Sequence, residues 1–229
     1  MKQNKHFILL VAFCIGFVTI LHAQHRRYAI KNGFGIYGGI TQYDILTDNF
    51  ETKPGNGWMV GASATVDLPH KWYNISYTIQ LAENEVGIAT RPVALPSQSQ
   101  FLDYKIFTAQ IALLMHVKLI KSFLTIDIGP MLQYNGELKL QDDQYENFIV
   151  ANYDNLLAKD ISDVNKFNID GTVGVSAGFS HFRVKAQYIY GFTNMLGKLD
   201  KDDNLDLTGN DKKIKGNQSI FAFTAMITF

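Results

Sequence analysis

Tyr73-Asn74-Ile75-Ser76-Tyr77-Thr78-Ile79-Gln80-Leu81 is the stretch whose reading decides the fold. Apolar residues stand at every second position with polar ones between them, and successive side chains of a strand point to opposite faces. The segment is therefore a strand with one greasy face and one polar face. Toward the N-terminus, Phe34, Ile36 and Ile40 alternate with Gly35, Tyr37 and Thr41, and Trp58, Val60, Ala62, Ala64, Val66 and Leu68 alternate with Met59, Gly61, Ser63, Thr65 and Asp67. Toward the C-terminus the same period marks Phe107–Leu119, Leu124–Tyr134, Asn168–Phe179, Phe182–Phe192 and Phe221–Phe229. Eight strands are expected. Pro130 falls inside the fifth, where it removes a ladder donor, so a bulge or irregular pairing is expected around Gly129-Pro130.

The connections between these strands alternate in length. Asp44–Gly57, Glu83–Tyr104, Asn135–Phe167 and Thr193–Asn217 are long, whereas Pro69–Lys71, Lys121–Ser122 and Ser180–His181 are tight. Long loops at one end and short turns at the other are the habit of outer-membrane barrels. A short helix is expected within the third long loop, over Asn152–Lys159.

Across all eight strands the apolar face carries no Asp, Glu, Lys, Arg or His. At the middle of a bilayer a Lys or Arg costs about 2–4 kcal/mol, so a face in contact with lipid excludes charge, while a face packed on protein in water only discourages it. Aromatic residues mark the ends of the same face. Phe34, Tyr73, Phe179, Phe182 and Phe229 fall at the end with the short turns, and Trp58, Phe107, Tyr134, Tyr190, Phe192 and Phe221 at the end with the long loops. Two such girdles are expected where amphipathic rings meet the two headgroup levels.

Before the first strand, Lys2 and Lys5 precede an apolar run from Phe7 to Leu21 that ends at Leu21-His22-Ala23. This reads as a secretory signal peptide over residues 1–23, cleaved after Ala23, with a short segment 24–32 leading into the barrel domain 33–229. Cys14, the chain's single cysteine, falls inside the signal peptide, so the mature chain has no thiol chemistry. Lys+Arg and Asp+Glu both number 21 in the 229 residues, which removes any broad electrostatic case for nucleic acid as a partner.

Three further segments, Gly129-Pro-Met-Leu-Gln-Tyr-Asn-Gly136, Phe167-Asn-Ile-Asp-Gly-Thr-Val-Gly174 and Gln187-Tyr-Ile-Tyr-Gly-Phe-Thr-Asn194, carry a resemblance. Through them the chain resembles the PorT-like, or porin-family, outer-membrane β-barrel proteins over nearly its whole mature length. The ending Phe221-Ala-Phe-Thr-Ala-Met-Ile-Thr-Phe229 is similar to the signal by which the barrel-assembly machinery recognises its clients. The resemblance implies outer-membrane lipid and lipopolysaccharide as surroundings. It also implies contact with the assembly machinery during biogenesis and, for one branch of the family, with proteins of a secretion system tied to gliding.

Candidate chemistry is sparse. Asp67, Asp127, His116, Lys118, Arg183 and Lys185 project from the polar face toward the short-turn end and are expected to pair across the lumen, because the interior of a small barrel is filled by side chains. His70, His116 and His181 also map to that end, so no imidazole is placed to serve as a general base at the outer leaflet, and no enzyme activity and no cofactor is expected. In the last long loop Asp200, Asp202, Asn204 and Asp211 have a spacing faintly like that of a calcium loop, but Leu205 occupies the turn position that needs Gly, so a solvated acidic loop is the better reading. Lys212, Lys213 and Lys215 beside it are a place where lipopolysaccharide phosphates could be met.

The expectation is thus an all-β, eight-stranded, antiparallel up-and-down transmembrane β-barrel preceded by a cleavable signal peptide. It would sit in the cell outer membrane with long loops extracellular and both mature termini periplasmic, in a structural or surface-interaction role and too narrow for a general diffusion pore. The alternatives are an accessory of a secretion or gliding machine and a soluble lipocalin-like periplasmic carrier with its apolar face turned inward.

Overall fold

The computed structural model describes residues 33–68, 71–93, 98–179, 181–201, 205–210 and 212–229. The expected signal peptide and the 24–32 segment lie outside these residues, as do His70, Asp202, Asn204 and Asp211. Among the described residues nine strands form: β1 (Gly33–Leu46), β2 (Thr52–Val66), β3 (Tyr73–Arg91), β4 (Gln100–Ile120), β5 (Leu124–Leu140), β6 (Ile149–Val150), β7 (Phe167–Gly178), β8 (Phe182–Gly191) and β9 (Asn217–Thr228). Eight of them close into a ring in the order β1-β2-β3-β4-β5-β7-β8-β9, with β9 returning to β1 and every neighbour antiparallel. Closure leaves no sheet edge in the wall. The ninth strand, β6, is two residues that pair with Thr90 and Arg91 at the upper end of β3. It was not expected, because two residues carry no periodicity.

The wall follows the alternation read from the sequence. Phe34, Ile36, Val60, Ile79, Leu113, Ile128, Val173, Val184 and Phe223 are all exposed on the outside, and Tyr37, Ser63, Thr78, Gln110, Gln133, Thr172, Gln187 and Thr224 are buried inside. A lipocalin-like carrier requires the opposite arrangement, so the soluble-carrier alternative is overturned by the direction of these side chains.

Strand lengths depart from expectation. Glu83–Tyr104 was read as a loop, yet β3 and β4 run as a continuous ladder up to Thr90↔Gln100. The period of two persists there, but the chemistry of the faces is exchanged: Glu83, Glu85, Asp103 and Lys105 take the outward positions, and Val86, Ile88, Leu102, Tyr104 and Ile106 the inward ones. On β5 the same exchange needs a change of phase. A register shift opposite Ile106/Thr108 sets two residues, Gly136 and Glu137, against one. This bulge turns Leu138 inward and leaves Glu137 and Lys139 outside.

Around Pro130 the expected disturbance takes the form of irregular pairing, without a bulge. Ala112↔Met131 and Met115↔Ile128 share one register, but the two pairs between them are not made, while Gly129 and Pro130 pair regularly with β7. The ladder is interrupted on one side without an inserted residue, which fits the loss of a single donor toward β4. The expected helix over Asn152–Lys159 is replaced by a 3-10 turn at Ala158–Ser162, whose first turn is closed by the Asp160 carboxylate accepting from the Leu157 N–H at 3.2 Å.

Candidate functional site

The outer wall, between the turn end and the loop end, is apolar over a band about 20–30 Å tall, taking about 3.3 Å per residue and a strand tilt of about 40°. Its outward residues include no charged side chain among those described. The expected turn-end aromatics Phe34, Phe179, Phe182 and Phe229 are exposed, and Tyr73 lies half-buried with its ring 5.0 Å from Trp72. At the loop end Trp58, Phe107, Tyr134, Phe192 and Phe221 are exposed, and Tyr190 is half-buried 5.8 Å from Phe192. The structure adds Trp72, and Phe123 at 5.4 Å from Phe179, to the lower ring, and adds Phe167 at 5.4 Å from Tyr134 to the upper one. Sequence reading missed Trp72 and Phe123 because they sit in or beside turns, where alternation gives no face.

Inside, the lumen is layered. The six charged residues expected there do gather at the turn end, but they divide into two groups. Lys118 Nζ meets Asp67 Oδ1 at 3.1 Å near the rim and also bonds the Lys71 carbonyl at 3.3 Å. Deeper in, His116 lies between Asp127 and Ser76, with Nδ1 2.7 Å from Asp127 Oδ1 and Nε2 2.7 Å from Ser76 Oγ. Thr125 donates to the same carboxylate oxygen at 2.7 Å. Arg183 donates to neutral oxygens, the Ser122 carbonyl at 2.7 Å and Ser176 Oγ at 3.1 Å, and Lys185 lies 5.9 Å from the Tyr37 ring centre.

Ser76, His116 and Asp127 have the partner order of a hydrolase triad, which no spacing in the chain announces, because the three residues lie on three different strands. A nucleophile has to meet its substrate, however, and Ser76 is 1% exposed. The neighbouring cavity, lined by His116, Asp127, Arg183, Lys185, Ser63 and Thr65 among others, holds about 40 Å³, room for a few waters and no acyl chain. The arrangement engages both His116 nitrogens and one Asp127 oxygen inside the wall, with Ser76 sealed beneath it.

Above the charged groups an amide chain crosses the lumen. Tyr37 donates to Gln80 Oε1 at 2.6 Å, Gln80 donates to Gln110, Gln110 to Gln133, and Gln133 to Gln218 at 2.6 Å. Gly61 makes room for it, since a Cβ there would stand 2.5 Å from the Tyr37 ring. Still higher, Asp170 and Asn168 are fully buried on β7.

The loop end is closed by a second core. Tyr43, Ile45, Ile88, Tyr104 and Leu138 from the wall meet Tyr153, Leu156, Ile161 and Val164 from the loop 141–166 and Met195, Leu196, Leu199 and Ile214 from 192–216, all buried. Burying each large side chain contributes about 1.5–3 kcal/mol. Directional bonds fix the cap in place: Tyr104 Oη donates to the Ala158 carbonyl at 2.9 Å, Asn165 N–H to Met195 O at 2.8 Å, and Asp154 N–H to Thr208 O at 2.9 Å. Burial within this cap raises the Tyr153 phenol above its ordinary pKa.

Two grooves flank the cap on the outside. One, of about 820 Å³, crosses the loop-end wall of β8, β9, β1 and the start of β2 and is lined by Leu46, Asp48, Thr52, Tyr190, Asn217 and the three lysines 212, 213 and 215. The other, of about 660 Å³, is lined by Glu83, Glu137, Lys105, Lys139, Lys166 and the rings of Phe107 and Tyr134. Of the weak calcium-like set, Asp202, Asn204 and Asp211 lie outside the described residues, and Asp200 accepts from the Ile214 N–H at 3.0 Å.

No family model matches the chain, and no curated protein does. Among solved structures the chain is similar to Neisserial surface protein A, at 11% identity and a TM-score of 0.47 over 86% of this chain and 97% of that one. It is similar to the outer membrane protein OprG of Pseudomonas aeruginosa, at 9% identity and 0.48 over 89% and 98%. It is also similar to Ail, the attachment invasion locus protein of Yersinia pestis, at 10% identity and 0.41 over 87% and 99%. The closed ring of eight strands rests on the chain's own pairings.

Proposed function

We propose that this protein is an integral outer-membrane β-barrel with a closed lumen, whose loop-built cap faces the cell exterior and whose short turns and C-terminus face the periplasm. The observation that carries the reading is the exchange of side-chain polarity along one continuous set of strands. On β3 and β4, below Leu81 and Phe107 the outward residues are apolar and the inward ones largely polar; above them Glu83, Glu85, Asp103 and Lys105 stand outward and Val86, Ile88, Leu102, Tyr104 and Ile106 inward. Lipid explains the lower arrangement and water the upper one, with the aromatic ring at the change.

The role that follows is structural or surface-interacting. Solute passage would need a path, and the lumen is occupied in turn by the ion-paired residues, the amide chain and the apolar cap. Catalysis is not part of the proposal, because the hydroxyl nearest an activating imidazole is sealed. Fractionation tests the membrane reading: the protein should need detergent for extraction and migrate differently on a gel before and after heating. Release into buffer on cell breakage would end it. Planar-bilayer recordings test the closed lumen, with stepwise conductance as the adverse result.

The PorT-like resemblance supports a narrower second reading, an accessory of a secretion or gliding machine. It rests on the segments Gly129–Gly136, Phe167–Gly174 and Gln187–Asn194. Copurification of a large membrane complex under mild detergent is its test, and a solitary barrel would count against it.

A further inference from the structure

We propose that the groove beneath Lys212, Lys213 and Lys215 binds the phosphorylated sugar headgroup of an outer-leaflet glycolipid. The proposal rests on the membrane reading above and gives that reading a specific ligand site.

The groove starts at the level where acyl chains end. Tyr190, on its floor, belongs to the upper aromatic ring, and Phe221 lies beside it, its ring 4.6 Å from Tyr188. From there the groove rises along Asn217 to Leu46, which pair across β9 and β1. Leu46 lies four residues beyond Gln42, the partner of Phe221, and so about 10 Å higher on a tilted strand. That interval is where headgroup sugars and their phosphates lie. Leu46 is 45% exposed on the outer wall, an apolar contact for the sugar ring faces.

The lysines are held over this floor by the fold. Asn49 is buried, and its side chain accepts from the Lys215 N–H at 3.0 Å while donating to the carbonyls of Lys213 at 3.3 Å and Lys212 at 3.5 Å. Ile214, between the basic residues, is buried in the cap, and its N–H donates to Asp200. Alternation around that anchor leaves Lys213 and Lys215 outward, with Lys212 exposed beside them. Among the described residues none of the three forms an ion pair, and Asp48 is the one carboxylate in the lining. Backbone pinned from below carries three ammonium groups over one floor, so binding an anion has only the lysine side chains left to order.

The opposite groove supplies an internal control. It lies at a similar height against Phe107 and Tyr134, yet Lys105 there stands 3.8 Å from Glu83 and 3.4 Å from Glu85, and Lys166 stands 4.0 Å from Asp163. On that side Lys105 and Lys166 are paired, and Lys139 shares the lining with the carboxylates Glu83 and Glu137. Among the described residues, the groove over β8, β9 and β1 sets three lysines without an ion pair against a single carboxylate beside the aromatic ring.

The experiment compares the full chain with the triple variant Lys212→Glu, Lys213→Glu, Lys215→Glu, each refolded into phospholipid vesicles. Three probes are added: a bisphosphorylated lipid A, the same lipid A stripped of phosphate, and inorganic phosphate as competitor. At about one lysine's worth of surface attraction each, loss of the three should weaken lipid A binding by about a hundredfold. The dephosphorylated lipid should bind the native chain as poorly as lipid A binds the variant, and millimolar inorganic phosphate should not displace the lipid. Equal binding by the variant, equal binding of the stripped lipid, or full displacement by inorganic phosphate would each overturn the proposal, the last by assigning a free-anion site. Gel mobility before and after heating is read on both proteins. A variant that keeps the shift has folded, and a native chain without it refutes the membrane reading instead. If the triple variant does not fold, Lys213→Gln and Lys215→Gln singly should each lower binding by about fivefold on the same scale.

Discussion

Placing one lysine at two heights on the same strand tests the membrane assignment most directly. Asp103 and Ile111 both point outward on β4, eight residues apart. Ile111 pairs with Ile79 on one side and Leu132 on the other, all three exposed and apolar. It lies six residues below Lys105, the lowest outward charge of that strand, and so about 15 Å beneath the boundary at about 2.5 Å of height per residue. Leu119, the last outward apolar residue of β4, is a further eight residues down. Ile111 is thus near the middle of the band, where a lysine costs about 2–4 kcal/mol, while at Asp103 it meets water and should cost under about 0.5 kcal/mol. Urea titration of each variant in phospholipid vesicles, followed by Trp58 emission and by gel mobility, measures the difference. Equal midpoints for Ile111→Lys and Asp103→Lys would refute the reasoning, because an outer wall bathed in water treats the two positions alike.

Other consequences follow from the lumen and the cap. Gln110→Leu strands the Gln80 amide, since Gln133 keeps its bond from Gln218; thermal unfolding in detergent should register a loss of about 1–3 kcal/mol. His116→Ala leaves the Asp127 carboxylate with Thr125 alone, for a loss of about 1.5–3 kcal/mol on the same assay, and a fluorophosphonate probe should leave Ser76 of the native chain unlabelled; labelling would reopen catalysis. Leu156→Ala hollows the cap by about 2–5 kcal/mol, so protease should cut the loop 141–166 faster while the ring stays intact, and unchanged cleavage would contradict a packed cap. Asp206 accepts from the Thr208 hydroxyl and N–H and from Asn155, and these bonds lower its pKa. A depressed carboxylate stabilises the folded loop above the unfolded aspartate pKa of about 3.9, and that contribution disappears as pH falls through the lower folded value. The protection factor of the Asp154 amide, bonded to Thr208 O, should therefore fall as pH drops below about 3.9, and in the Asp206→Asn variant, which has no carboxylate to titrate, it should not change over that range.

Legibility in the sequence varied with how local the cause was. Strand identity was read correctly at Tyr73–Leu81 and its seven counterparts because alternation is a property of neighbouring residues. The extension of β3 and β4 was missed although Val86, Ile88, Tyr104 and Ile106 keep the same period, because the search followed one chemistry on one face and the exchange at Glu83 looked like an ending. At Pro130 the expectation of a bulge or irregular pairing resolved to irregular pairing toward β4, since the sequence states that a donor is absent but not which neighbour loses it. The sequence expectation grouped the charged residues of the lumen together; their division, with His116 taking Ser76 and Asp127 while Lys118 takes Asp67, depends on which strands stand side by side.

Periodicity and the absence of charge from one face are written in the order of residues, so the chain alone determined strands with one apolar and one polar face, while the direction in which the ring closes decided which of them is outside. Tertiary structure decided everything that joins residues distant in sequence: closure of β9 onto β1, the amide chain across the lumen, and the cap in which Tyr104 meets Ala158 and Tyr43 meets Met195. A strand's faces follow from the alternation of its own side chains. Which partner fills each face follows from register and from loops folding back over tens of residues, and no local pattern encodes that distance.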